Sequence, residues 1–138
     1  MPTAIWSRRN LSMLAPIPLQ RLEGLALLAA SSILFAWSGQ SWWWFGLLLL
    51  APDLFMVGYL GGPRLGAATY NFGHAMIWPL ALLTTGIVGD RRGLVAVGSI
   101  WLAHIGMDRA LGYGLKHSDS FQNTHLGIIG RRRRDNGA

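Results

Sequence analysis

From residue 19 to residue 115 the chain is almost continuously apolar, broken by three short links, "SGQS", "GGPRLG" and "GDRRG". A helix crossing a bilayer needs roughly 20 mainly apolar residues. Four segments reach that length: 19–37, 42–60, 66–89 and 94–115. Inside lipid the backbone polar groups must be satisfied internally, which helices do within one segment. Links this short join antiparallel neighbours. The expected fold is therefore an all-α membrane protein. Four transmembrane helices form an up-down antiparallel bundle, between an N-terminal segment 1–18 and a polar, basic C-terminal tail 116–138.

Composition agrees. The 138 residues suffice for one domain. Only 13% are charged, about half the share usual in soluble domains. The seven Trp suit a membrane–water interface, and "WWW" at 42–44 is expected in such a belt. With no Cys, disulfides and thiolate metal sites are excluded. The net charge of +6 does not point to nucleic acid, because the basic residues sit at the ends of apolar runs.

Their placement sets an orientation. With both termini in the cytoplasm, Arg8, Arg9, Arg21, Arg64, Lys116 and the four arginines 131–134 lie inside, and only Arg91 and Arg92 lie outside. That asymmetry is the positive-inside pattern. "SRRNLSML" loosely resembles a twin-arginine export signal, but three more spans follow, so Arg8 and Arg9 are read as holding the N-terminus inside. The cluster "RRRR" at 131–134 is expected to meet anionic lipid, at about 1 kcal/mol per residue.

The polar residues within the spans share a depth. At about 1.5 Å per residue, Asp53 lies about 17 Å from the outer face, His74 about 12 Å from the inner face and His104 about 15 Å from the outer face. Asp108 is one turn nearer the cytoplasm than His104, and Glu23 lies in the first turns of span one. Each helix thus brings an acid or a histidine to the cytoplasmic half. Ionisable groups cost too much in lipid to be scattered there, and are expected to face inward and pair. His104 and Asp108 are spaced i, i+4, as are Tyr70 and His74, so each pair shares a helix face. Asn71 lies three residues before His74, and Pro52 loosens the backbone just before Asp53. On the far side of helix four, Gly106, Ala110 and Gly114 form a small-residue strip. The strip is expected to meet a second copy in a homodimer, or else helix one of the same chain.

Several chemistries are open to these groups. His74, His104, Asp108 and Asp53, with Glu23 a further candidate, are ordinary donors for zinc, iron or manganese. A divalent ion with an open position would activate water for hydrolysis. Arg109 and Lys116, near the inner headgroups, would hold a phosphate. His74 and His104 also fit as axial ligands of a haem, a less favoured reading. Proton or ion transport usually brings broken helices and repeats, and here only Pro52 and Pro79 hint at breaks. A hydrogen-bonded network holding the helices in a structural or assembly protein is the rival to all of these. The long polar stretch "GYGLKHSDSFQNTHLG", with His125, could fold over the inner mouth.

"RLEGLALL", "LLAPDLFMVGYLGGPRLGAATYNFGH" and "WLAHIGMDRALGYGLKHSDSFQNTHLG" resemble the small bacterial membrane proteins grouped as domain of unknown function forty-two-sixty, over about residues 19–127. The resemblance implies a multi-pass protein of the bacterial inner membrane but no substrate. Its patterned positions correspond to Glu23, Asp53, Tyr59, Asn71, His74, His104, Asp108, Arg109, Tyr113, Lys116 and His125. A fainter similarity links Pro52–Asp53, His74 and "HIGMDRALG" to inner-membrane metal-dependent hydrolases. Phe55 stands where those carry a second acid, and their histidine before "THS" has no counterpart here. The function expected is a metal-assisted hydrolase acting on a lipid-like or phosphorylated amphiphile. Glu23, Asp53, His74, His104 and Asp108 would do the chemistry, and Tyr59, Asn71, Arg109, Tyr113, Lys116 and His125 would bind substrate. The alternative is a non-enzymatic structural, binding or assembly subunit.

Overall fold

The computed structural model describes residues 16–118, 123–125 and 127–128. Arg8, Arg9 and the arginines 131–134, on which the expected inner anchors partly rest, lie outside the described residues. The described chain is helical apart from one small hairpin. Helix α1 (Pro16–Ser38) leads to α2 (Trp42–Leu48) and then a 3-10 helix (Ala51–Gly61). Helices α3 (Pro63–Gly73), α4 (Ile77–Val88) and α5 (Arg92–Leu111) follow. Two-residue strands β1 (Asn123–Thr124) and β2 (Gly127–Ile128) pair antiparallel. Among the described residues, three helical stretches are long and apolar enough to cross a membrane: Pro16–Ser38, Trp42–Gly61 and Arg92–Leu111.

Two of the four expected spans are broken, which corrects the reading of each as one helix. Proline lacks an amide donor, and its ring clashes with the carbonyl four residues earlier, except in a first turn. For Pro52 that carbonyl belongs to Leu48, and α2 ends at Leu48. For Pro79 it belongs to Ala75; α3 ends at Gly73 and α4 restarts at Ile77, leaving Pro79 in a first turn. The expected third span is thus two helices of 11 and 12 residues, each about half a crossing. Asp53 directly follows Pro52, and His74 caps the C-terminus of α3. Both breaks therefore carry a polar candidate.

Helix α5 is the centre of the fold. Eleven of its residues are buried, and it packs on α1 and α4. A Cβ on Gly24 of α1 would lie 2.6 Å from the Ala110 amide nitrogen, and one on Gly106 2.7 Å from that of Leu28. The small-residue strip of α5 therefore meets α1 of the same chain at Gly106 and Ala110. Contact this close lets the backbones approach, which suits helices whose outer surroundings are as apolar as their interface. Further along the same pair, Phe35 is fully buried with Ala96 and Ile100. Leu83, Val95 and Leu102 form a second cluster, joined by Leu27, Leu34 and Met76.

The end of α5 is closed by two devices. Gly112, at φ 92°, takes the left-handed conformation that ends the helix, with its amide bonded to the Arg109 carbonyl at 3.1 Å. The Arg21 guanidinium donates to the Ala110 and Leu111 carbonyls, both at 3.0 Å. This fixes the start of α1 beside the end of α5. The 3-10 helix pairs with α3: the Tyr59 ring lies on Gly66, the Phe55 ring on Gly73, and the Thr69 hydroxyl donates to the Phe55 carbonyl at 2.8 Å. Large apolar side chains such as Leu22, Ile33, Leu54, Leu60 and Val88 remain exposed. A hydrocarbon surrounding accounts for so much uncovered apolar surface. Trp42, Trp43 and Trp44 are also exposed.

Candidate metal centre

Helix α5 supplies two ends of the site. His104 and Asp108 stand one turn apart, and the His104 side chain is fully buried. The break after α3 supplies His74, whose side chain is only 4% exposed, and the first turn of the 3-10 helix supplies Asp53, whose side chain is 39% exposed. One donor atom from each of the four lies within 4.8 Å of the others. Nε2 of His74 is 3.0 Å from Nε2 of His104, 3.4 Å from Oδ2 of Asp108 and 3.7 Å from Oδ1 of Asp53. Nε2 of His104 is 3.5 Å from each of the same two oxygens. The convergence expected from depth is present for these four.

These separations have a chemical meaning. Donors about 2.0–2.2 Å from a tetrahedral ion lie roughly 3.3–3.6 Å from one another. The five separations above cluster about that range. Protons alone fit the geometry less well. Nδ1 of His74 lies 2.8 Å from the Tyr70 carbonyl. A carbonyl only accepts, so Nδ1 carries a proton, and in the neutral ring the Nε2 lone pair would face the cluster. At 3.0 Å the two Nε2 atoms have room for one proton between them, not two. That proton satisfies one contact and leaves two carboxylates facing it. A divalent cation satisfies all four donors and cancels both carboxylate charges.

Tyr70 surrounds the cluster with support. Besides the carbonyl contact, its hydroxyl donates to Oδ2 of Asp108 at 2.9 Å. Its ring stacks on that of His74, with centroids 3.7 Å apart and planes within 14°. Nearby, the Trp101 indole donates to the Gly73 carbonyl at 2.6 Å, holding the end of α3 beside His74. The sequence pointed to Tyr70 through its spacing from His74 but gave it no role. The signal was its hydroxyl: a phenol within an apolar span has to find a partner.

Glu23, expected with the four, does not join them. It is exposed on α1, because its neighbour Gly24 takes the face against α5 and successive residues turn by about 100°. Asn71 grips the chain after α5: its side-chain amide donates to the Lys116 carbonyl at 2.8 Å, and its oxygen accepts from the Lys116 amide at 2.6 Å. His125 works in the same region. Its Nδ1 accepts from the Leu115 amide at 2.8 Å, and its own amide donates to the Leu115 carbonyl at 3.0 Å. His125 thus lies against Leu115, which lines the edge of the site. Lys116 is buried, with Nζ 5.0 Å from the Tyr70 ring centroid and 5.8 Å from that of Tyr113. Burial pushes its ammonium below the ordinary value, against the pull of Asp108 and Asp53. Arg109 and Tyr113 join Tyr70, His74 and Asp108 around a cavity of about 10 Å³, room for about one water. Tyr59 is half-buried over Gly66.

The family model described as domain of unknown function (DUF4260) matches residues 18–129. The chain belongs to the DUF4260 family. That match spans every residue of the cluster and of the segment that Asn71 and His125 hold. No curated protein and no solved structure matches the chain. As a DUF4260 protein it is a helical, membrane-like chain with a His/Asp group able to hold a metal ion.

Proposed function

We propose that this chain is a membrane-embedded metalloenzyme that hydrolyses a phosphorylated or otherwise lipid-like amphiphile. One observation carries the reading: two imidazole nitrogens and two carboxylate oxygens converge within 4.8 Å, and each of the five separations that involve a histidine nitrogen is between 3.0 and 3.7 Å, near the spacing of donors around one divalent ion. The donor set of nitrogen and oxygen suits zinc, iron or manganese. Bound there, the ion would lower the pKa of a coordinated water and polarise a phosphoryl or acyl oxygen.

The chain's own residues divide the work. His74, His104 and Asp108 are buried and form the fixed part of the shell. Asp53 is the exposed donor, on a short 3-10 helix that packs mainly on α3. Its withdrawal would give the open position that a catalytic site needs, and its carboxylate would then accept a proton from the attacking water. Arg109 and Lys116, beside the small cavity, would hold an anionic headgroup. In this reading the protein is a four-span bundle in the bacterial inner membrane. Both termini and the mouth of the site face the cytoplasm, and the basic tail lies on anionic lipid.

The test is phosphate release from vesicles containing phosphatidate, with protein reconstituted in zinc, iron or manganese. Metal-dependent release that Asp53→Asn abolishes while keeping its metal supports the reading. A metal-loaded protein that releases nothing from phosphatidate or lysophosphatidate contradicts it. A second reading is favoured by the four protein donors themselves: a closed shell is the mark of a structural ion. The ion would then clamp the two broken spans onto α5 in a non-enzymatic or assembly protein, and Asp53→Asn would lower stability instead.

A further inference from the structure

We infer that Tyr70 is the positioning residue of the metal centre, setting the donor atom of one ligand and the orientation of another. The inference rests on the reading above that an ion occupies the cluster. Three separate parts of this residue act on it. Its carbonyl accepts from Nδ1 of His74 at 2.8 Å, which fixes the tautomer that offers Nε2 to the ion. Its ring lies flat against the His74 ring at 3.7 Å, which fixes the imidazole plane. Its hydroxyl donates at 2.9 Å to Oδ2 of Asp108, the oxygen that faces both Nε2 atoms.

The placement follows from the break. His74 directly follows α3 as its C-terminal cap, four residues after Tyr70, so the Tyr70 carbonyl meets both the backbone amide of His74 at 2.9 Å and its ring. A continuous helix would keep the amide bond, but His74 caps the helix with φ at −106°. The hydroxyl then reaches across to α5. Tyr70 thereby links the ligand from a helix end to a ligand on the central helix, which no other described residue does through both its backbone and its side chain. Partners of this kind, bonded to the ligands and not to the metal, commonly change metal affinity by 10–100-fold.

Tyr70→Phe removes the hydroxyl alone and keeps the carbonyl and the ring. The full chain in detergent is titrated with zinc against a chelator of known affinity, and the absorption bands of its cobalt-loaded form are recorded. Tyr70→Phe is expected to bind zinc about 10–100-fold more weakly and to shift the cobalt bands. Thr84→Val removes a hydroxyl bond to the Leu80 carbonyl on α4, away from the cluster, and should leave both readouts as in wild type. Equal zinc affinity in Tyr70→Phe and wild type, with unshifted bands, overturns the inference alone. A wild-type chain that binds no zinc and no cobalt overturns the metal reading and this inference with it. If Tyr70→Phe fails to fold, 3-fluorotyrosine in place of tyrosine strengthens the O–H donor at unchanged shape. Shifted cobalt bands then support the inference, and identical bands overturn it.

Discussion

Nε2 of His74 and Nε2 of His104 lie 3.0 Å apart, although one ring caps a helix and the other sits in the middle of another. His74 reaches that position because α3 stops one residue before it. The break ahead of Pro79 is therefore part of the site. Pro79→Ala permits a continuous helix across 74–76, in which His74 would turn with the helix. The expected result is a folded protein with at least tenfold weaker metal affinity, measured by chelator competition. Unchanged affinity would show that the break does not position His74.

The packing of α5 on α1 depends on the absence of side chains at Gly24 and Gly106. Gly106→Leu forces bulk against the Leu28 backbone, and overpacking of this kind costs about 1–3 kcal/mol or more. The variant should unfold at lower temperature in detergent, as followed by circular dichroism. A variant equally stable but altered only in oligomeric state would instead favour the expected homodimer through Gly106, Ala110 and Gly114.

Asn71 makes both backbone bonds to Lys116. Asn71→Ala leaves that amide and carbonyl without these partners. Limited proteolysis should then cut within residues 113–118 much faster than in wild type, while α5 stays intact. Identical cleavage rates would place the hold on this segment elsewhere, for instance in the paired bonds between Leu115 and His125.

The proton on Lys116 gives a pH dependence. Its folded pKa is lowered from 10.5 by burial, so the unfolded chain binds this proton more tightly. Between the folded value and 10.5 the unfolded state holds more protons, and stability contributed by this group rises with pH there. Thermal unfolding across that range should show wild type gaining stability relative to Lys116→Met as pH increases. A constant difference between the two would contradict the sign.

Asp53, His74, His104 and Asp108 were legible because depth in a bilayer follows directly from position in an apolar run, and charge in lipid needs company. The i, i+4 pairing of His104 with Asp108 needed only helical geometry. The breaks were less legible: Pro52 and Pro79 are visible, but a proline within a span can kink a helix or end it. Glu23 shares the depth but not the direction, because its place around α1 depends on Gly24 facing α5, a tertiary fact. The strip at Gly106 and Ala110 announced a close neighbour without saying which helix. Tyr70 was hidden because half of its action runs through its backbone carbonyl, to which sequence is blind. The place of His125 was not legible, because its ring accepts from the Leu115 amide ten residues earlier, a contact that spacing does not reveal.

The central claim is that one divalent ion sits among Asp53, His74, His104 and Asp108. Its most direct test is the metal content of protein purified into nanodiscs after exposure to zinc, iron and manganese, measured by mass spectrometry beside His74→Ala and His104→Ala. The account predicts about one ion per wild-type chain and a loss of most of it in both variants. Wild-type protein without bound metal, or variants that retain it in full, would contradict the account.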